Sequence, residues 1–263
     1  IAAAIGAVTN SLQAALLATP MPLGLAVLAL LSLWRIGFGF AVFTVLSLWL
    51  VDHMGLWSAM METLSLVLAS TLVAMLIGLP LGIAMARSDR VAAVVRPVLD
   101  LMQTMPAFVY LIPAAMFFGL GAVPGTIATV IFSMPPVVRL TNLGIRQVHV
   151  EFIEAGNAFG CTAWQLLVKV QLPNAMPSIM AGINQTIMLS LSMVVIASMI
   201  GAGGIGNTVL TGIQRLDVGT GFEGGLAVVI LAVILDRITQ SFGKERASPW
   251  RVLFRRRQEQ PQT

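Results

Sequence analysis

The chain has 263 residues, of which 10% are charged (15 Lys+Arg, 11 Asp+Glu) and 57% hydrophobic, and its mean hydropathy is +0.92. Soluble domains carry roughly 25% charge, and so few charges cannot cover a water-exposed fold of this length; lipid is the solvent for most of the chain. A disulfide scaffold is excluded because Cys161 has no second cysteine to pair with, and disorder is excluded by the apolar content. Despite a pI near 10.2, the basic residues punctuate apolar runs and form no stripe, so nucleic acid is not an expected partner.

Taken in chain order, residues 1–19 carry Asn10, Ser11 and Gln13 among Ala and Leu, which predicts a helix along the membrane interface; an additional span is the alternative. The chain opens on Ile1, and no cleavable signal is recognisable, so processing or a missing N-terminal tail is expected. A bilayer span needs about 20 mostly apolar residues. On that measure seven membrane segments are expected, at about 21–34, 36–51, 62–86, 98–119, 125–141, 176–200 and 222–240. Trp34 and Trp49 flank the second as interface anchors. Pro106 and Pro113 are expected to kink the fourth, and the glycines from Gly119 to Gly125 turn the chain into the fifth. Gly78 with Gly82, and Gly121 with Gly125, are spaced for close helix contact. The chain thus divides into a peripheral part, 1–57, a membrane core, 58–243, and a basic tail, 244–263.

Charge orients these segments. After the first, third, fifth and seventh lie Arg35; Arg87, Arg90 and Arg96; Arg139, Arg146 and Lys169; then Arg237, Lys244, Arg246, Arg251 and Arg255–Arg257. The opposite side has Arg215 beside Asp52, Glu62, Asp217 and Glu223. Fourteen basic residues against one predict a cytoplasmic C-terminus and an N-terminus outside.

The stretch between the fifth and sixth segments is different in kind. Phe152, Ala155 or Gly156, and Phe159 share one helical face, and Gly160 ends that helix as a C-cap glycine does. Thr162 with Gln165 three residues later is a capping-box start. Trp164, Leu167 and Val168 form the second helix's apolar face, and Pro173 is expected to end it. The result is a compact cytoplasmic helical hairpin, which docks either on its own membrane domain or on a partner.

These residues resemble a known family. Glu154-Ala155-Gly156-x3-Gly160-x9-Val170-x-Leu172-Pro173 is similar to the EAA loop of ABC importer permeases, with Gly156 for Ala and Val170 for Ile as departures. The stretches from Asp100 to Tyr110, Gln171 to Thr186, Met193 to Ile200 and Gly212 to Asp217 resemble the glycine betaine/proline betaine permeases of osmoprotectant importers. The resemblance covers roughly residues 20–243. It implies an all-α membrane protein of the type I importer permease fold in the inner membrane. A second permease copy, two cytoplasmic ATPase subunits and an extracytoplasmic binding protein are its implied partners. The hairpin would couple to the ATPases; ATP and Mg would sit on those subunits, with no cofactor on this chain.

Polar and aromatic residues in spans are candidates for the solute path: Gln103, Thr104, Phe108, Tyr110, Asn184, Gln185 and Ser190. The alternative for each is hydrogen-bonded contact between helices. Gly201, Gly203, Gly204 and Gly206 match a dinucleotide fingerprint by spacing, but an apolar helix precedes them where a strand is required. They are read instead as a flexible turn near an external gate. No P-loop motif is present, and His53, His149 and Cys161 cannot form a metal cluster. No convergent aromatic cage for a quaternary ammonium is visible, so choline, carnitine and proline betaine fit the same residues. An ion-coupled carrier leaves the hairpin without a role, and a membrane enzyme lacks paired catalytic groups.

Overall fold

The computed structural model describes residues 2–243, and its elements are helical throughout. They are α1 (Ala2–Leu17), α2 (Met21–Arg35), α3 (Phe38–His53), α4 (Trp57–Arg87), α5 (Asp89–Thr104), α6 (Ala107–Phe118) and α7 (Ala122–Arg146). Then come α8 (Val150–Ala158), α9 (Ala163–Leu166), α10 (Leu172–Ala197), α11 (Ile205–Arg215) and α12 (Val218–Gly243). The basic tail read at 244–263 lies outside the described residues.

Helices α4, α7 and α10 form the centre. Lipid tails are as apolar as Leu, so helices associate in a bilayer by close packing and not by exclusion of water. Small residues permit that approach. A Cβ added to Gly78 would lie 2.6 Å from Val137, one on Gly82 2.8 Å from the Val138 carbonyl, and one on Gly144 2.7 Å from Ser178 Cβ. On Gly182 it would lie 3.1 Å from the Val137 Cα. Hydroxyls add a few polar ties, such as Ser190 to Ser133 at 3.0 Å.

Four helical stretches are long and apolar enough to cross a bilayer: Trp57–Arg87, Ala122–Arg146, Ala163–Ile200 and Val218–Gly243. They contain the third, fifth, sixth and seventh expected segments. The fourth, expected as a kinked single span, is instead two helices, Asp89–Thr104 and Ala107–Phe118, bent by 99°. Pro106 explains the break. Its ring drives Met105 out of the helical region to ψ 135, and Pro106 itself is extended at ψ 142. Pro113, by contrast, is absorbed within α6. Pro20 acts like Pro106, and Ala3–Leu17 meets Met21–Arg35 at 104°. The second segment, Phe38–His53, is only 16 residues long, short of a straight crossing.

Helix α1, in the stretch read as a surface helix, packs on the core. Ile5 is buried with Val73, Ala74 and Val130, at the middle of α4 and α7, and the buried Thr9 hydroxyl lies 3.4 Å from that of Thr126. The alternative of a further membrane segment accounts better for this contact.

Substitution tests the close packing directly. Gly182→Val pushes α10 off the α7 backbone, and an overpacking cost of about 1–3 kcal/mol is expected. Gly39, with nothing within 4 Å of an added Cβ, should accept Val with little change. Thermal unfolding in detergent should separate the two.

Candidate functional site

The hairpin forms as its sequence dictates. Gly160 adopts φ +74, with its N–H donating to Asn157 O at 2.9 Å and the Cys161 N–H donating to Gly156 O at 3.0 Å. That pair of bonds is the Schellman ending of α8. Thr162 opens α9 with both halves of a capping box: its hydroxyl accepts from the Gln165 N–H at 3.3 Å, and its N–H donates to Gln165 Oε1 at 2.9 Å. Gly156 is buried against Leu166, where a Cβ would come within 2.6 Å of Cδ1. The small residue at this position lets the two helices close. Glu154 and Ala155 are exposed on α8, and Glu154 caps neither hairpin helix.

One expectation fails here. Pro173 does not end the second helix: Ala163–Ile200 is one continuous helical rod. Proline cannot donate to the carbonyl four residues back, and its ring collides with it. The π-helical turn Leu167–Gln171, immediately upstream, widens the helix at that point, and Val170, Leu172 and Pro173 follow through it into α10. The expected apolar face also divides. Leu167 is 1% exposed and belongs to the core, whereas Trp164 is 66% and Phe159 89% exposed. With Val150, Phe152 and Val168 also exposed, the hairpin presents an apolar surface away from its own bundle.

The candidate path residues fall into two groups. Gln103 and Thr104 are exposed at the end of α5, and Phe108 is half-exposed at the start of α6. Tyr110 braces that elbow: its hydroxyl donates to Met102 O at 2.6 Å across the Pro106 break, and its ring meets Phe132 edge-on at 6.2 Å. On α10, Asn184 and Gln185 line a cavity of about 470 Å³. Ser190 is buried and bonded to Ser133, so it ties α10 to α7.

The glycine run is held more firmly than a flexible turn. Gly201, Gly203 and Gly204 all have positive φ, and Gly121 N–H donates to Ile200 O at 2.9 Å. Glu62 on α4 accepts from the Gly204 N–H at 2.7 Å, and Thr63 Oγ1 accepts from the Ile205 N–H at 2.9 Å. These bonds satisfy free donors at the start of α11. Gly206 packs against the α10 backbone, where a Cβ would lie 2.8 Å from Val195 Cα. Helix α10 and a short helical turn precede the run, where a dinucleotide fingerprint requires a strand.

Other ties were not foreseen. Arg146 on α7 meets Asp89 at 2.7 Å and the Met85 carbonyl at 2.7 Å, and Arg139 pairs with Asp100. Together they stitch α5 antiparallel to the end of α7. Arg35 donates to Ser241 O at 2.7 Å and stacks over Phe242 at 4.1 Å. Asp236 on α12 accepts from Asn184 at 2.9 Å. Each joins residues too far apart in the chain for a local pattern to announce.

The family model for binding-protein-dependent transport system inner membrane components matches residues 78–246, which include the elbow, the hairpin and the cavity. The chain belongs to this family. Relatives support it over nearly the whole length. The glycine betaine/proline betaine transport system permease protein of Escherichia coli is 53% identical over 92% of this chain and 68% of its own. The glycine betaine/carnitine transport permease protein of Listeria monocytogenes is 60% identical over 76% of this chain and 71% of its own. For the glycine betaine transport system permease protein of Bacillus subtilis the values are 48%, 94% and 88%. Among solved structures, an inward-facing methionine ABC transporter matches with a TM-score of 0.64 at 19% identity, covering 69% of this chain and 91% of that one. The fold is therefore that of an ABC transporter permease, and this inner membrane component is a transport subunit.

Two measurements probe the turns at either end of α11. Glu62→Ala should raise amide exchange of Gly204 and Ile205 roughly fivefold, the loss of a cap being about 1 kcal/mol. Asp217 accepts from the Thr220 hydroxyl at 2.7 Å and from its N–H at 3.2 Å, and these bonds hold its carboxyl below the usual range. A lowered folded value means stabilisation present above about pH 4 and lost as pH falls through that value. Protection at the start of α12 should fall on acidification, and Asp217→Asn should remove the dependence.

Proposed function

We propose that the chain is the membrane-spanning permease of an ATP-driven importer for glycine betaine and proline betaine, working as a homodimer. Two cytoplasmic ATPase subunits bind the hairpins, hold ATP and Mg and hydrolyse it, while an extracytoplasmic binding protein delivers the solute. The chain itself binds no cofactor. The hairpin end is cytoplasmic, as is the C-terminus, and the N-terminus is outside.

The observation that carries this reading is the exposed apolar hairpin, with Phe159 and Trp164 outward, in a chain 48–60% identical to permeases named for glycine betaine. An isolated apolar surface on a rigid hairpin is complementary to a groove on a partner. Because α9 runs unbroken into α10, force on the hairpin acts on a transmembrane helix. An ion-coupled carrier gives this surface nothing to do.

The test is ATP hydrolysis by the chain reconstituted with its ATPase and binding protein, with and without glycine betaine. Gly160→Val has open space for the side chain, but its φ of +74 is a position β-branched residues avoid. Stimulation by glycine betaine is expected in the wild type, with at least a tenfold loss in the variant. Uptake without any ATPase would overturn the importer reading. Stimulation by carnitine or choline alone would change the solute and leave the mechanism.

A further inference from the structure

Where α10 begins and α12 ends, at the hairpin end of the bundle, there is an apolar groove of about 460 Å³. Val168 of the π turn and Leu172, Pro173 and Met176 of α10 form one side, and Phe242 and Gly243 of α12 form the other. The volume is in the range of small-molecule sites, about 300–1,000 Å³. Yet no polar side chain lines the groove to orient a small ligand. What it presents is contact area for other apolar side chains, since Val168, Met176 and Phe242 are all exposed.

The groove between α2 and α3 is equally apolar, and lipid tails are sufficient cover there. At the hairpin end the solvent is different. Lys169 and Asn174 are exposed in the same stretch of chain as the groove wall, and Arg237 is exposed on α12, so this end meets water. An apolar concavity at a water boundary marks a place where something apolar binds.

The sequence supplies the occupant. Gly243 lies on the groove wall, and the chain continues from it through Lys244-Glu-Arg-Ala-Ser-Pro249 to Trp250-Arg-Val-Leu-Phe254. All the large apolar side chains of residues 244–263 fall in that last stretch: Trp250, Val252, Leu253 and Phe254. Seven steps from Gly243 to Trp250 reach about 24 Å at full extension, and Ser248-Pro249 is a pair that favours chain reversal. Charge agrees with this placement. The last carbonyls of α12 are the negative end of its dipole, and Lys244, Arg246 and Arg251 are the cations nearest to them in sequence beyond the helix. We infer that residues 250–254 dock in this groove and clasp the end of α12 to the junction of the hairpin with α10. The short tether removes most of the entropy that a separate partner would lose on binding. The clasp is independent of which solute the chain carries.

Thiol labelling tests it. Cys161, the only cysteine, is replaced by Ser, and Met176→Cys or Val168→Cys is introduced as a reporter in the chain held in nanodiscs with residues 244–263 intact. A water-soluble maleimide is expected to label both reporters slowly. Replacing Trp250, Leu253 and Phe254 together by Ser should accelerate labelling at least tenfold. Val150→Cys, exposed on the hairpin outside the groove, should not respond. The second reporter decides the matter if the first does not fold. Met176→Cys paired with Leu253→Cys should form a disulfide within one chain on mild oxidation. Reporter labelling that ignores the tail substitutions overturns the inference. A crosslinked dimer in place of the intrachain disulfide overturns it in favour of a second copy. No disulfide, with Leu253→Cys labelled quickly in neutral nanodiscs and slowly in anionic ones, overturns it in favour of the membrane surface.

Discussion

Contact between helix backbones around α7 governs this molecule. In lipid the interior of a bundle gains little from being apolar, so stability depends on how closely helices approach. Gly78 and Gly82 bring α4 against one side of α7, and Gly144 and Gly182 bring α10 against another. Helix α7 itself contains Pro135 and Pro136, both buried, with Pro136 O among the atoms nearest to Gly182. A larger side chain at any of these glycines would separate the helices that carry everything else.

From that centre, α10 links the two ends of the protein. One end is the hairpin, whose bend depends on Gly160 and whose second helix enters α10 through a π turn. The other is the glycine run, pinned to α4 by Glu62 and Thr63. The stretch Ala163–Ile200 spans both, so one continuous helical run joins the two ends. Pro173 sits inside that run, and the wider turn at Leu167–Gln171 accommodates its ring. The hairpin and the glycine run are therefore joined through one helix, on opposite sides of the membrane in the charge-derived topology.

Charged groups are arranged to suit the same plan. Helix α5 is too polar to cross lipid, and Arg139 and Arg146 hold it along the hairpin end of α7 through Asp100 and Asp89. At the same end Arg35 fastens the α2–α3 pair to α12 through Ser241 and Phe242. Asp236 differs from these, since its partners are neutral amides.

Much of this was legible in the chain itself. Charge gaps set the membrane segments, and glycine, threonine and glutamine at residues 160, 162 and 165 specified the hairpin, because caps and turns are written in residues a few positions apart. Local signals had less authority over angles. Pro106 announced a disturbance, yet whether a proline kinks a span or divides it by 99° depends on what surrounds the freed backbone, here the Tyr110 hydroxyl reaching Met102. Pro173 misled for the related reason that a π turn can absorb a proline. The cap from Glu62 to Gly204 and the pairing of Asn184 with Asp236 left no trace in sequence, since each depends on how distant helices pack. Periodicity and short-range chemistry determined the helices and the hairpin; only tertiary packing, which brings distant helices together, decided which polar groups satisfy one another.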